Sequence, residues 1–248
     1  MADFLKGIDV SRWQDPAAIN WSKVKAGGYS FVFIKTTDGS AYKQSFIDAC
    51  LQHATAANAA GLTLGYYHFA HPTSLGGIDP DAKAEANFFL ETIGGFPNPA
   101  LPLVLDLEDD KMDLSPDDTV QWINIFRDEL SSAGKSMILY SSKSYLDSHL
   151  PAGHTLGEIP LWLAYYPRVF DPAQNPRIPS GWSEWTLWQY TQSGTVPGVS
   201  GAIDISLMKP VFVQPASRGL LRKVHAKLPA RELRHPKGAR KQRRKGSR

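Results

Sequence analysis

Asp106 and Glu108 stand two residues apart at the end of an apolar run, Leu101-Pro102-Leu103-Val104-Leu105-Asp106-Leu107-Glu108. Read as a strand, this run points Val104, Asp106 and Glu108 to one side and Leu103, Leu105 and Leu107 to the other. Carboxylates at a half-buried strand end cost free energy unless they are paired, hydrogen-bonded or protonated. Packing alone does not ask for two of them. Two neighbouring carboxyls in unlike environments suit glycoside hydrolysis, where one donates a proton and the other stabilises an oxocarbenium-like transition state. Strand residues i and i+2 lie about 6–7 Å apart, a spacing that leaves both retention and inversion open.

Further acids and aromatics end other apolar runs. Asp9 closes the first run and is followed by Ser11-Arg12-Trp13-Gln14; Asp204 lies in the last. Between them come Tyr66-Tyr67-His68-Phe69, Tyr140-Ser141-Ser142, Trp162-Leu163-Ala164-Tyr165-Tyr166 and Trp188-Gln189-Tyr190. Asp9 alone would read as a turn or helix cap. Asp9, Asp106, Glu108 and Asp204 at equivalent places read as one acid cluster. Trp13, Trp162 and Trp188 offer flat faces for stacking on sugar. His68 reads equally as a satisfied structural histidine or a cleft residue, and Trp21 and Trp122 read as core.

These residues need a frame that brings strand ends together. Strand-like runs fall at Lys6–Val10, Tyr29–Thr36, Thr63–Phe69, Leu101–Leu107, Ser136–Tyr140, Pro160–Tyr165, Trp185–Tyr190 and Ala202–Ile205. Helical patterns fall at Gln44–Ala60, Pro80–Ile93 and Pro116–Ala133. The last has Ser115 as N-cap, Pro116 at the first position, Asp117 and Asp118 in the first turn, and Gly134 as its stop. Strand–helix alternation predicts an α/β fold with a largely parallel sheet. Eight strands predict an irregular, TIM-like barrel whose second half lacks full helices, with the site at the C-terminal strand ends. A doubly wound sheet is the alternative, weakened because no GxGxxG follows the first strand.

The 248 residues suffice for one large barrel, and 42% hydrophobic content supports its core. A lone cysteine, Cys50, forms no intrachain disulfide and reads as a buried hydrophobe. The seven His show no metal-ligand spacing, so no metal and no cofactor is expected. No GxSxG elbow or serine triad is visible. The N-terminus carries Asp3 and no long apolar segment, so no secretory signal is expected; no apolar run approaches about 18 residues, so no transmembrane helix is expected.

The net charge of +3 conceals two different parts. Residues 217–248 hold thirteen Lys and Arg against one acid, Glu232, while the rest of the chain holds 14 basic and 23 acidic residues. Residues 1–214 are therefore expected to form the barrel, and 215–248 a basic, disordered tail with a short amphipathic helix over 220–233. The tail is expected to dock on anionic wall polymers or phospholipid. Charge alone also permits nucleic acid, but no aromatic interleaving supports it.

Taken in order, Gly7-Ile8-Asp9-Val10-Ser11 with Trp13-Gln14, Ile34-Lys35, Gly65-Tyr66-Tyr67-His68-Phe69, Asp106-Leu107-Glu108, Trp188-Gln189-Tyr190 and Gly201-Ala202-Ile203-Asp204 resemble glycoside hydrolase family 25, the Chalaropsis-type lysozymes. The resemblance covers roughly residues 4–212 and rests on several spaced motifs together. It implies an irregular α/β barrel and an N-acetylmuramidase that cuts the β-1,4 bond between N-acetylmuramic acid and N-acetylglucosamine in bacterial peptidoglycan. It implies Glu108 as general acid/base, Asp106 as its partner, Asp9 and Asp204 as flanking acids, and Tyr66, Tyr140, Trp162 and Gln189 as substrate contacts. Two departures lie beside these acids: Lys35-Thr36-Thr37-Asp38-Gly39 where the family often has Lys-Ala-Thr-Glu-Gly, and Asp204-Ile205-Ser206 where it often has Asp-x-Asn.

A cell-wall lysozyme with no signal peptide expected fits a phage endolysin, held in the host cytoplasm until a separate pore releases it to the wall, and a monomer is expected. A bacterial autolysin is the alternative setting. A non-catalytic wall-sugar module and a chitinase-like hydrolase are the competing functions. The intact acid set opposes the first, and the absence of a longer DxxDxDxE run opposes the second.

Overall fold

The computed structural model describes residues 4–210. The basic segment 215–248, its expected helix and the 214/215 boundary lie outside the described residues. Among those described, eight strands close into a barrel in sequence order: β1 (Leu5–Val10), β2 (Tyr29–Asp38), β3 (Thr63–Phe69), β4 (Leu103–Asp106), β5 (Met137–Ser142), β6 (Leu161–Ala164), β7 (Leu187–Gly194) and β8 (Ile203–Met208). The helices are α1 (Trp21–Ala26), α2 (Gln44–Ala59), α3 (Ile78–Ile93), α4 (Pro116–Ser132) and α5 (Lys143–His149).

The barrel is irregular as expected, with one correction. Strands β1 to β7 pair in parallel, but β8 runs antiparallel to both β7 and β1. A parallel return needs a long crossover; the link after Gly194 is short, so the chain turns back as a hairpin. Asp204 thus reaches the common mouth from the start of its strand, not the end.

Helix positions follow local signals. Ser115 accepts a hydrogen bond from the Asp118 N–H, and Pro116 opens α4. The chain leaves α2 and α4 through Gly61 (φ +78°) and Gly134 (φ +71°), left-handed positions where a side chain would be strained. Phe89 of α3 and Trp122 and Phe126 of α4 pack at 0% exposure, and the Trp122 indole donates to Asp81 at 2.7 Å. The helices α1 and α5, six and seven residues long, were not foreseen. They are too short to show amphipathic periodicity and depend on packing against the barrel.

Two apolar groups result. Leu64, Tyr66, Leu103, Leu105, Leu107, Leu163 and Trp188 lie in the layer between barrel and helices. Phe31, Phe33, Val104, Ile138, Leu187 and Met208 fill the barrel interior, with Tyr140 and Trp162 in the same cluster. Gly7 and Gly65 make that filling possible. A Cβ on Gly7 would stand 2.1 Å from the Phe31 ring, and one on Gly65 2.2 Å from the Phe33 ring. The interior is a packed plug with a polar cap, and the cap is the cleft.

Candidate active site

The cleft has a volume of about 300 Å³ and opens at the mouth where β1 to β7 end and β8 begins. Its walls include Asp9, Lys35, Tyr67, Asp106, Glu108, Tyr140, Trp162, Gln189 and Asp204. The alternation read in β4 holds: Val104 lies inside the barrel while Leu103, Leu105 and Leu107 face the helices. Asp106 ends the strand at 5% exposure, and Glu108 follows, exposed to the cleft. The segment beyond β4 is held on both sides of Glu108. Ser141 donates to the Leu107 carbonyl at 2.6 Å, and the Tyr145 hydroxyl donates to the Asp109 carbonyl at 2.9 Å.

Asp9 and Asp204 face each other in the β1–β8 ladder. The Gln189 amide donates to Asp9 at 3.0 Å, while its carbonyl accepts from Tyr140 at 2.8 Å and from Tyr166. Gln189 therefore has its polarity set by two phenols and presents N–H groups to a carboxyl. Trp162 is only 2% exposed, and its indole donates to Ser206 at 3.0 Å. It forms the floor rather than a stacking wall. That bond also gives Ser206, where the family pattern often has Asn, a definite partner. Trp13 is an exposed aromatic of the rim, as is Tyr166, and the Arg12 guanidinium stands 4.5 Å from the Trp13 ring centre.

Two expected substrate contacts are corrected. Tyr66 is fully buried among the helix-facing residues and donates to the Pro97 carbonyl; its neighbour Tyr67 lines the cleft. Trp188 is 1% exposed and donates to the Tyr165 carbonyl, outside the barrel. Consecutive strand residues point to opposite faces, so Tyr66 and Tyr67, or Trp188 and Gln189, cannot both enter the cleft. Inward Gly65, and Leu64 facing the helices, carry the signal that would have assigned Tyr67. His68 proves structural, buried between Thr37 at 2.8 Å and Glu85 at 2.7 Å. Lys35 was not foreseen as a site residue: it supplies the cation in the cleft lining and pairs with Asp38 at 2.6 Å.

All four acids are pushed toward the protonated form. Burial raises Asp106 well above the usual carboxylate range, and the charge of Glu108 adds to it against Lys35. Burial likewise raises Asp9 well above that range, helped by the charge of Asp204. Asp204 is raised by burial as well, and its side-chain contact with Asp9 works the other way. Protein walls raise Glu108 too, although it meets solvent; Lys35 opposes the rise, and Asp204 and Asp110 support it. The charge of Glu108 acts on Asp106, the deeper of the two carboxyls. One Asp106 carboxylate oxygen is buried with no hydrogen-bond partner. Among the described residues no group of three or more His, Cys, Asp or Glu is arranged to hold a metal ion.

An acid-lined cleft at the mouth of an irregular eight-stranded barrel, with one carboxyl open and one buried, defines a class of glycoside hydrolases. Residues 8–199 match the model of the glycosyl hydrolases family 25. The chain is 35% identical over 209 residues to Lysozyme M1 of Streptomyces globisporus, covering 81% of this chain and 66% of that protein. It is 30% identical over 213 residues to the N,O-diacetylmuramidase of Chalaropsis sp, covering 81% of this chain and 96% of that one. The crystal structure of a bacterial lysozyme from Streptomyces coelicolor superposes with a TM-score of 0.69 at 33% identity, covering 82% of this chain and 91% of that chain. The protein belongs to glycosyl hydrolases family 25 and is a glycoside hydrolase of the lysozyme type.

Proposed function

We propose that the cleft hydrolyses the β-1,4 bond between N-acetylmuramic acid and N-acetylglucosamine in bacterial peptidoglycan, with Glu108 as general acid/base and Asp106 as its partner. The observation that carries this reading is the unequal placement of the two carboxyls on one wall. Glu108 meets the open cleft, where a glycosidic oxygen can reach its proton, and its raised pKa keeps that proton available. Asp106 lines the same cleft at 5% exposure; one of its oxygens is buried without a partner, and the other suits a donor on the substrate, such as the acetamido N–H.

In the reaction, Glu108 gives its proton to the leaving oxygen as the bond to the anomeric carbon breaks. The substrate's own acetamido carbonyl oxygen bonds to that carbon, and Asp106 accepts the acetamido N–H as positive charge develops. Water, deprotonated by Glu108, then opens the ring intermediate, with net retention. Asp9 and Asp204 line the cleft where the oxocarbenium-like charge develops. Tyr67, Tyr140 and Gln189 orient the sugar.

Digestion of purified peptidoglycan, borohydride reduction and mass spectrometry test the reading. Reduced N-acetylmuramic acid ends, absent with Glu108→Gln, are expected. Reduced N-acetylglucosamine ends would overturn the bond assignment. An inverted initial anomer would overturn the assisted mechanism.

Residues 215–248 form, in this reading, a separate basic tail that docks on anionic wall polymers or phospholipid, supported by thirteen cations against one acid over 217–248. Wall binding by a chain ending at residue 214 should weaken most at low salt; unchanged binding would refute the tail's role. The setting proposed on the family resemblance is lysis of a bacterial host by a phage. Expression in the host cytoplasm should then cause lysis only with a membrane pore protein present.

A further inference from the structure

His71 bridges the two structures that support Glu108. It lies in the link between β3 and α3, and its Nε2 stands 2.6 Å from Asp38 while its Nδ1 stands 2.6 Å from Asp109. A carboxylate only accepts hydrogen bonds, so both ring nitrogens must carry protons, and the ring is an imidazolium. The hydrogen bond to Asp38 leads the causes that push it up to about 9, and the bond to Asp109 adds to it.

Each carboxylate connects onward to the cleft. The second oxygen of Asp38 holds Lys35 at 2.6 Å, and Lys35 lines the cleft, where its charge opposes protonation of Glu108 and Asp106. Asp109 directly follows Glu108, and its carbonyl is held by the Tyr145 hydroxyl of α5. His71 is held in turn by α3: the Glu85 carboxylate accepts its main-chain N–H at 3.2 Å while also binding His68. On its remaining sides lie the Phe69 ring and the backbone of Gly39. The charged groups facing His71 are therefore Asp38 and, behind it, Lys35 from β2, Asp109 from the segment after β4, and Glu85 from α3.

We propose that His71, as an imidazolium, is a positioning residue for the reaction, fixing the Glu108-bearing segment 107–110 against the Lys35–Asp38 pair. The inference rests on the role proposed above for Glu108. Without the clamp, Asp38 and Asp109 repel one another across the gap, and the segment carrying the acid moves from its place beside the cleft cation. His71 touches no substrate in this account; it acts through Asp109 on the backbone of Glu108 and through Asp38 on Lys35.

The test compares full-chain His71→Gln and His71→Arg with wild type, using steady-state kinetics on peptidoglycan across pH and thermal unfolding midpoints. His71→Gln loses the charge and sets an amide oxygen against one carboxylate. It should lower kcat about tenfold or more with little change in KM, because misplacement of a reacting group acts on the chemical step. Loss of a nearby positive charge should also move the alkaline limb of the pH–rate profile upward. His71→Arg can donate to both carboxylates and should restore both kcat and the limb. Wild-type kcat and limb in His71→Gln would overturn the proposal. So would a His71→Arg enzyme that melts like wild type yet stays as slow as His71→Gln. Glu108→Gln is run beside them. Activity surviving in Glu108→Gln refutes the Glu108 assignment, whereas an inactive Glu108→Gln with a wild-type-like His71→Gln refutes the clamp alone.

Discussion

Asp9 and Asp204, 195 residues apart in sequence, sit directly opposite one another in the antiparallel ladder between β1 and β8. Like charges at such a pair are destabilising, and here burial deepens the cost. Both carboxyls are raised above their ordinary values, so the folded state binds protons that the unfolded state releases. Their contribution to stability is fully present below the ordinary carboxylate pKa and is lost as pH rises through the raised folded values.

Asp204→Asn should therefore stabilise the protein near neutral pH by about 1 kcal/mol while reducing turnover. The gain should vanish as pH falls below the ordinary carboxylate range. Urea unfolding at neutral and acid pH checks this; a variant less stable than wild type at neutral pH would show that the pair is not repulsive.

Glu108→Gln should lower kcat by at least about a hundredfold, the least expected of a lost acid/base group. Because Glu108 meets solvent and bonds to no other side chain among the described residues, the unfolding midpoint should not fall. For wild type, the alkaline limb of activity should lie above the ordinary carboxylate pKa, since walls of the cleft, Asp204 and Asp110 hold the proton on against Lys35. A limb at the ordinary value would show that the cleft does not tune this group.

Tyr66→Phe and Tyr67→Phe should separate cleanly. The Tyr66 hydroxyl donates to Pro97 away from the cleft, so its loss should cost about 1 kcal/mol of stability and leave kcat and KM unchanged. Tyr67 lines the cleft beside the acids, so its loss should change kinetics with little effect on stability. Reversed results would mean that β3 is assigned to the wrong face.

Gly65→Ala should destabilise by about 1–3 kcal/mol or more, because its Cβ would stand 2.2 Å from Phe33 inside the barrel plug. Phe33→Leu should recover part of that loss in the double variant, although harmful alone. Purely additive costs would show that the ring is not the obstacle.

The alternation along β4 and the caps of α4 were legible because each depends on residues close in sequence: a two-residue period in one case, a serine, a proline and a glycine in the other. Asp9, Asp106, Glu108 and Asp204 were legible as a cluster because acids at the ends of apolar runs have few structural explanations. The inward face of β3 and β7 was not. Barrel strands are buried on both sides, by the plug and by the helices, so apolar alternation does not say which side is which. Gly65 and Leu64 decide it only once Phe33 is known to occupy the space beside Gly65.

The sequence by itself determined the alternating elements, the barrel class and the identities of the acids, since these follow from local periodicity and residue chemistry. Only the tertiary structure decided that β8 runs backwards, that Tyr67 rather than Tyr66 reaches the cleft, and that His71 joins Asp38 to Asp109. Each of these is a pairing between distant segments, made by packing and charge at short range in space, and no local pattern encodes which distant partner a side chain will meet.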